Sequence, residues 1–136
     1  MDQNDINKLR GKTAVVGLAE SGCGLASGWS AMEIMATAVH DALDDAGIKL
    51  KEVDGVFAAT AFHSMAAMSL SEYLGVKPKF ADGSQIGGSS FLSHILTAAM
   101  ALDAGLIKVA VVAYGSNQKS IGAVSYTHLR AHETSL

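Results

Sequence analysis

The stretch GSQIGGSSFLSH, Gly83–His94, combines serines, glycines, a glutamine and a histidine at a turn between a short apolar run and a long apolar helix. Paired glycines let a ligand come close to the backbone. The first N–H groups of the helix have no partner within it, and its dipole favours negative charge there. Such a corner suits chemistry in which charge develops on a carbonyl oxygen. Gly87 and Ser90 are candidates for substrate binding. Ser90 and His94, one helical turn apart, could form a nucleophile–base pair, or serve as a helix-start serine and a hydrogen-bonded core histidine. His63, Ser116 and Asn117 lie in loops after predicted strands and are further candidates for lining a substrate channel.

The elements that hold these residues follow from periodicity. Lys12–Leu18 (KTAVVGL) is rich in β-branched residues and reads as a buried strand. Ser30 and Glu33 form a Ser-x-x-Glu capping box ahead of an amphipathic helix closed by Gly47. Its apolar stripe runs through Ala31, Met35, Ala38, Val39, Ala42, Leu43 and Ala46. Val53–Thr60 is a second strand, Ser64–Gly75 a second helix, the KFADG run a short third strand, and Lys108–Gly115 a fourth. Alternating strands and helices predict an α/β domain with a mainly parallel sheet and helices on both faces. In such sheets, ligands gather at the carboxyl ends of the strands. The helix over 87–104 carries almost no polar face, which predicts burial on all sides and a further protein layer.

The chain has 136 residues, 49% of them hydrophobic and 17% charged, with a net charge of −3. So little charge on a chain this small implies that part of its surface is covered. No basic cluster suggests nucleic acid, and no apolar run suggests a membrane span. A single cysteine, Cys23, forbids an internal disulfide and points to a reducing, cytoplasmic setting. Gly22, Gly24 and Gly28 form a glycine run that offers a rival reading as a dinucleotide-binding turn. Against it, LAES separates the run from the strand, and no acidic residue ends the second strand.

The segments DGVFAAT, SEYLGVKPKFADGSQIGGSSF and DAGLIKVAVVAYGSNQ, in that order, resemble the N-terminal half of the thiolase superfamily. More narrowly, they are similar to its sterol-carrier-protein-thiolase-related members, over about Thr13 to Gln118. The resemblance implies an αβαβα fold whose nucleophile helix lies between two sheets. It also implies acyl transfer or carbon–carbon bond chemistry on coenzyme A thioesters as substrates, with no permanently bound cofactor, and a homodimer. Alignment to the family sets its nucleophilic cysteine at Gly88, with Ser89 beside it, so the thiol is missing. An unassisted serine is a poor replacement. Three readings stay open: an aldolase-like enzyme paired with a small OB-fold protein, a non-catalytic thioester-binding subunit, or Ser89 as nucleophile. The glutamate of the family's Gly-x-Glu-x-Met-Ser stretch is also absent, since the chain reads GSNQKS there.

Residues 1–124 are expected to form a truncated thiolase-like domain. The closing SYTHLRAHETSL, 125–136, breaks the pattern and is expected to be a non-native tail. His128 and His132 sit one turn apart within it, with only Glu133 near enough in sequence to complete a zinc site, which is too few ligands.

Overall fold

The computed structural model describes residues 8–61 and 63–121. Seven elements follow one another: α1 (Ala31–Ala46), a 3-10 turn (Leu50–Glu52), β1 (Gly55–Ala59), α2 (Ala66–Leu74), β2 (Phe80–Asp82), α3 (Ser90–Asp103) and β3 (Ala110–Tyr114). The three strands form a parallel sheet in the order β2-β1-β3. The chain thus steps from β1 through α2 to β2, then crosses back through α3 to β3 on the far side of β1. This is the α/β arrangement expected from the alternating pattern.

Local chemistry explains where the helices begin and end. Ser30 Oγ accepts the Glu33 N–H at 3.1 Å and Glu33 Oε2 accepts the Ser30 N–H at 2.7 Å, completing the capping box. The Ser30 N–H and hydroxyl hold the Glu33 carboxyl below its usual range. Gly47 and Gly75 close α1 and α2 in the left-handed conformation. The buried stripe of α1 is Ile34, Met35, Ala36, Val39 and Leu43, slightly rotated from the one periodicity predicts.

β1 is buried along its whole length because both of its faces are covered. Val56 and Ala58 point into a core shared with Met35, Val39 and Leu43 of α1 and Leu70 and Leu74 of α2. Phe57 points the other way, onto Ala98 and Ala101 of α3 and Ile107. The strand's period of two therefore feeds two separate cores. Asp54 anchors the start of β3 from below: its Oδ1 accepts the N–H groups of Lys108 at 2.8 Å and Val109 at 2.9 Å. Partial burial pulls its carboxyl upward, but those N–H groups and the nearby Lys79 ammonium outweigh this, leaving it below the ordinary value.

Because the folded-state value is depressed, this stabilisation is complete above the ordinary carboxylate range and vanishes as pH falls through the lowered value. Asp54→Ala is expected to cost about 1–3 kcal/mol at neutral pH, since it strands two N–H donors. Urea melts should show the difference between wild type and variant shrinking below pH of about 4.

Two expectations are corrected. Lys12–Leu18 is not a strand: it runs without a β partner, and Val15, Val16 and Leu18 are 81%, 61% and 79% exposed. A strand needs a neighbour for its N–H and C=O groups, and this segment has none among the described residues. It lies instead along α1, where Leu18 N–H donates to Asp45 Oδ2 at 3.1 Å. Gly17 makes that approach possible, since a Cβ there would overlap the Ala42 carbonyl oxygen. The second correction concerns α3, which is not buried all round. Ser90, His94, Ala98 and Ala101 face the sheet, whereas Leu92, Ile95, Leu96 and Met100 are between 46% and 72% exposed. One sheet can cover only one side of a helix, and the described residues supply no second layer. The boundary expected at residue 124 and the tail after it lie outside the described residues.

Candidate functional site

The corner between β2 and α3 is built by polar bonds beneath it. Asp82 Oδ1 accepts from both the N–H and the hydroxyl of Ser84, which turns the chain sharply after β2. The Ser84 hydroxyl is the main cause holding the Asp82 carboxyl low; partial burial opposes it, and the Ser84 N–H and the nearby His94 add to it. Ser90 is fully buried, accepts the Ile86 N–H at 2.9 Å and donates to the Gly87 carbonyl at 2.7 Å. His94, also fully buried, contacts the Ser84 carbonyl through Nε2 at 2.9 Å. A carbonyl only accepts, so Nε2 carries a proton, and Nδ1 is buried without a hydrogen-bond partner. The ring lies edge-on to Phe91 and tilted against Phe57.

Ser90 and His94 are therefore not a nucleophile–base pair. The hydroxyl is used within the turn, and the imidazole proton is spent on the Ser84 carbonyl. Both residues position the corner from below and are out of a substrate's reach. Gly87 adopts φ +82°, a conformation that favours glycine. Gly88 has an ordinary φ, is exposed, and would have no atom within 4 Å of an added Cβ. Ser89 precedes the helix and makes no side-chain cap. The head of α3 thus presents bare backbone, with the first-turn dipole facing open space.

A second feature lies across the carboxyl ends of the strands. Thr60, at the end of β1, donates its hydroxyl to the Gly115 carbonyl, and its own carbonyl accepts from Gln85 Nε2 at 3.0 Å. Gln85 belongs to the corner, so Thr60 links it directly to a cavity of about 600 Å³. That cavity gathers Ser30 and Met32 of the α1 start with Thr60, His63, Ser69, Glu72, Tyr73, Ser116 and Asn117. His63 Nε2 is 2.6 Å from Ser69 Oγ. Asn117 Nδ2 donates to the Trp29 carbonyl at 3.2 Å, and Ser116 Oγ is bonded to Gln118.

The candidate residues hence fall into two groups. Gly87, Gly88 and Ser89 form the open corner, whereas His63, Ser116 and Asn117 meet in the cavity beyond Thr60. Thr60, Ser69 and Glu72 are not singled out by the sequence, and only the folded chain brings them together with the corner through Gln85. The rival dinucleotide turn fails on its first requirement, because among the described residues no strand precedes Gly22, Gly24 and Gly28. Cys23 is exposed in that loop, beside Glu20 and Ser21. Among the described residues no cluster of three metal-ligating side chains occurs, and no helix is long and apolar enough to cross a membrane.

No protein-family model matches the chain. Over 113 residues it is 30% identical to the 17-hydroxy-3-oxo-4-pregnene-20-carboxyl-CoA lyase of Mycobacterium tuberculosis, covering 82% of this chain and 29% of that lyase. Among solved structures, the Ltp2-ChsH2(DUF35) aldolase superposes with a TM-score of 0.70 at 26% identity, over 79% of this chain and 28% of that one. A monomeric SCP2-thiolase-like protein type 1 from Mycobacterium smegmatis matches with a TM-score of 0.58 at 26% identity, over 71% of this chain and 22% of its own. OleA of Xanthomonas campestris bound with cerulenin shares the fold, with a TM-score of 0.63 at 20% identity, over 89% of this chain and 39% of that one. The chain spans under two fifths of the length of each of these relatives. In its parallel sheet, its glycine corner at the head of α3 and these likenesses, the chain is similar to part of the SCP2-thiolase-like proteins and has the fold of a thiolase-like half-domain.

Proposed function

We propose that this chain is part of a longer thiolase-like protein that acts on acyl-CoA thioesters, breaking or forming a carbon–carbon bond beside the thioester without an acyl-cysteine intermediate. The observation that carries this reading is Gly88: an open, unhindered backbone position at the head of α3, where a thioester oxygen can approach the positive end of the helix but no thiol can attack. N–H donors and a helix dipole stabilise the enolate oxygen that such a bond cleavage generates. The M. tuberculosis relative is named a lyase of an acyl-CoA, which agrees with that reaction type. Coenzyme A thioester is then the substrate, and no resident cofactor is required.

The exposed apolar flank of α3 (Leu92, Ile95, Leu96 and Met100) supports a longer protein, since it is the side a second sheet would cover. A homodimer and a small OB-fold partner complete the proposal, in a cytoplasmic setting suited to the lone Cys23; the neighbour named Ltp2-ChsH2(DUF35) aldolase carries two names in one aldolase, which agrees with a partner. On this reading the 136-residue chain alone is inactive and poorly soluble, and the tail from 125 is not native. Re-sequencing the locus tests this: a reading frame that runs on in thiolase-like sequence is expected, and an uninterrupted gene ending at Leu136 would contradict it. A non-catalytic thioester-binding subunit is the second reading, favoured by the missing nucleophile at Gly88.

Restoring the thiol gives a direct check on the corner. Gly88→Cys should fold normally, because its Cβ meets open space. At a helix N-terminus the new thiol should ionise below the usual value of about 8.5. Iodoacetamide should then alkylate it faster than Cys23 at neutral pH, and acyl-CoA should slow the reaction. Equal rates at both cysteines would argue against a helix-end site.

A further inference from the structure

We propose that Gly22–Trp29 is a lid of the strand-end cavity: a turn clasped at both ends to the segment after β3, which closes Leu25 and Trp29 over a long acyl chain when that clasp is released. The choice of ligand rests on the acyl-CoA reading above; the clasp and its pivot are read from the loop itself.

The loop divides into a pivot and a rigid tip. Its start is pinned to α1, where the Ser21 hydroxyl donates to the Ile34 carbonyl at 2.6 Å. Gly22 and Gly24 follow at φ +59° and +85°, a region that favours glycine, and a Cβ added at Gly24 would meet nothing within 4 Å. The tip, Ala26–Trp29, is a four-residue turn closed by the Trp29 N–H on the Ala26 carbonyl at 3.1 Å. Gly28, at φ +81°, stands third in it, where a type II turn requires a positive φ. The tip is tied at both ends. The Ala26 N–H donates to Ser120 Oγ at 2.9 Å, and Asn117 Nδ2 donates to the Trp29 carbonyl at 3.2 Å. Those two bonds and the buried Ala26 methyl hold it in place.

Position and chemistry make this turn a cover. Ser30, the residue after Trp29, lines the cavity, and so does Asn117. The clasp therefore ends in the cavity wall, and an occupant that displaces the Asn117 side chain also frees the Trp29 carbonyl. Leu25 and Trp29 are 64% and 43% exposed, so the loop holds two large apolar side chains in water beside the cavity's rim. Leaving Ser120 and swinging about Gly22–Gly24 lets them bury against an apolar chain, which offsets the lost bonds. Loops that shut over a ligand exchange weak local contacts for burial on the ligand in this way.

Hydrogen exchange of the complete gene product, followed by mass spectrometry, tests this with palmitoyl-CoA and acetyl-CoA as probes. Palmitoyl-CoA should slow exchange across Gly22–Trp29 by about tenfold or more, since burying a large apolar side chain outweighs one hydrogen bond. Acetyl-CoA, whose acyl group is too short to fill the cavity, should leave the loop unchanged. Ser120→Ala removes one point of the clasp without touching the cavity wall. It should speed exchange of the loop in the free protein by about fivefold. It should also tighten palmitoyl-CoA by up to about fivefold, because a released clasp no longer opposes closure, and leave acetyl-CoA affinity unchanged. The lid is overturned if palmitoyl-CoA binds without protecting the loop, or if acetyl-CoA protects it equally. It is overturned too if Ser120→Ala leaves exchange of the free loop unchanged or weakens palmitoyl-CoA. In each of those cases the acyl-CoA reading stands, whereas a wild-type protein that binds neither thioester sinks that reading and the lid together.

Discussion

Gly88→Trp is expected to weaken acyl-CoA binding by more than about 100-fold, the equivalent of roughly 3 kcal/mol. The reason is geometric. Gly88 is exposed at the head of α3 and a Cβ there meets nothing within 4 Å, so an indole fills the space proposed for the thioester. Its φ is not in the left-handed region, so the substitution adds no backbone strain. The melting temperature should therefore stay close to wild type while calorimetric titration loses its signal. Gly87→Ala offers the contrast. Its φ of +82° penalises a side chain, so stability falls, by about 1 kcal/mol, before binding does. A Gly88→Trp protein that still binds acyl-CoA with wild-type affinity would remove the corner from the site.

The largest effect on stability is expected at Phe57. Phe57→Ala should cost about 3–5 kcal/mol, a large share of the stability of a domain this size. The ring is fully buried in the central strand, stacks on Phe80 at 5.7 Å, and packs against Ala98, Ala101 and Ile107. It also lies 6.2 Å from the His94 ring, whose Nε2 holds the Ser84 carbonyl. Removing Phe57 thus undermines α3 and the loop leading into the corner together. Urea denaturation of the complete gene product should show the loss, and Phe57→Leu should recover much of it by refilling the volume. A change under about 1 kcal/mol for the alanine variant would mean that the α3 side of the sheet is not a cooperative part of the core.

Much of this architecture is readable from local pattern. The Ser30–Glu33 box, Gly47 and Gly75 fix the helix ends because caps act within a few residues. β1 is legible because a strand buried on both faces is an unbroken apolar run. Lys12–Leu18 has the same appearance yet stays unpaired, since pairing depends on a neighbouring strand that the segment itself cannot specify. The apolar surround of α3 predicts burial on every flank, but only the sheet side is covered. It cannot reveal whether the covering layer is among the described residues, and the outer flank is open.

The site divides in the same way. Gly87 and Gly88 stand out because paired glycines before a helix are a local feature. The roles of Ser90 and His94 are not legible from their spacing. Four residues apart suggests a pair, but each side chain bonds instead to the turn before the helix, at Ile86, Gly87 and Ser84. The cavity is less legible still. Ser30, Thr60, His63, Ser69 and Ser116 come together only because α1 and α2 begin, and β1 and β3 end, at one rim of the sheet. His63 could be suspected from its place after a strand. Ser69 gives no such sign, as a serine in the first turn of a helix is ordinary.

The most direct test of the central claim is an amide NMR titration of the isotopically labelled complete gene product with a saturated acyl-CoA, with NADH as the control. The account predicts saturable shifts concentrated at Gly87, Gly88, Ser89 and Phe91, and none of comparable size with NADH. Shifts that spare the head of α3, or a tight response to NADH centred on Gly22–Gly28, would contradict it.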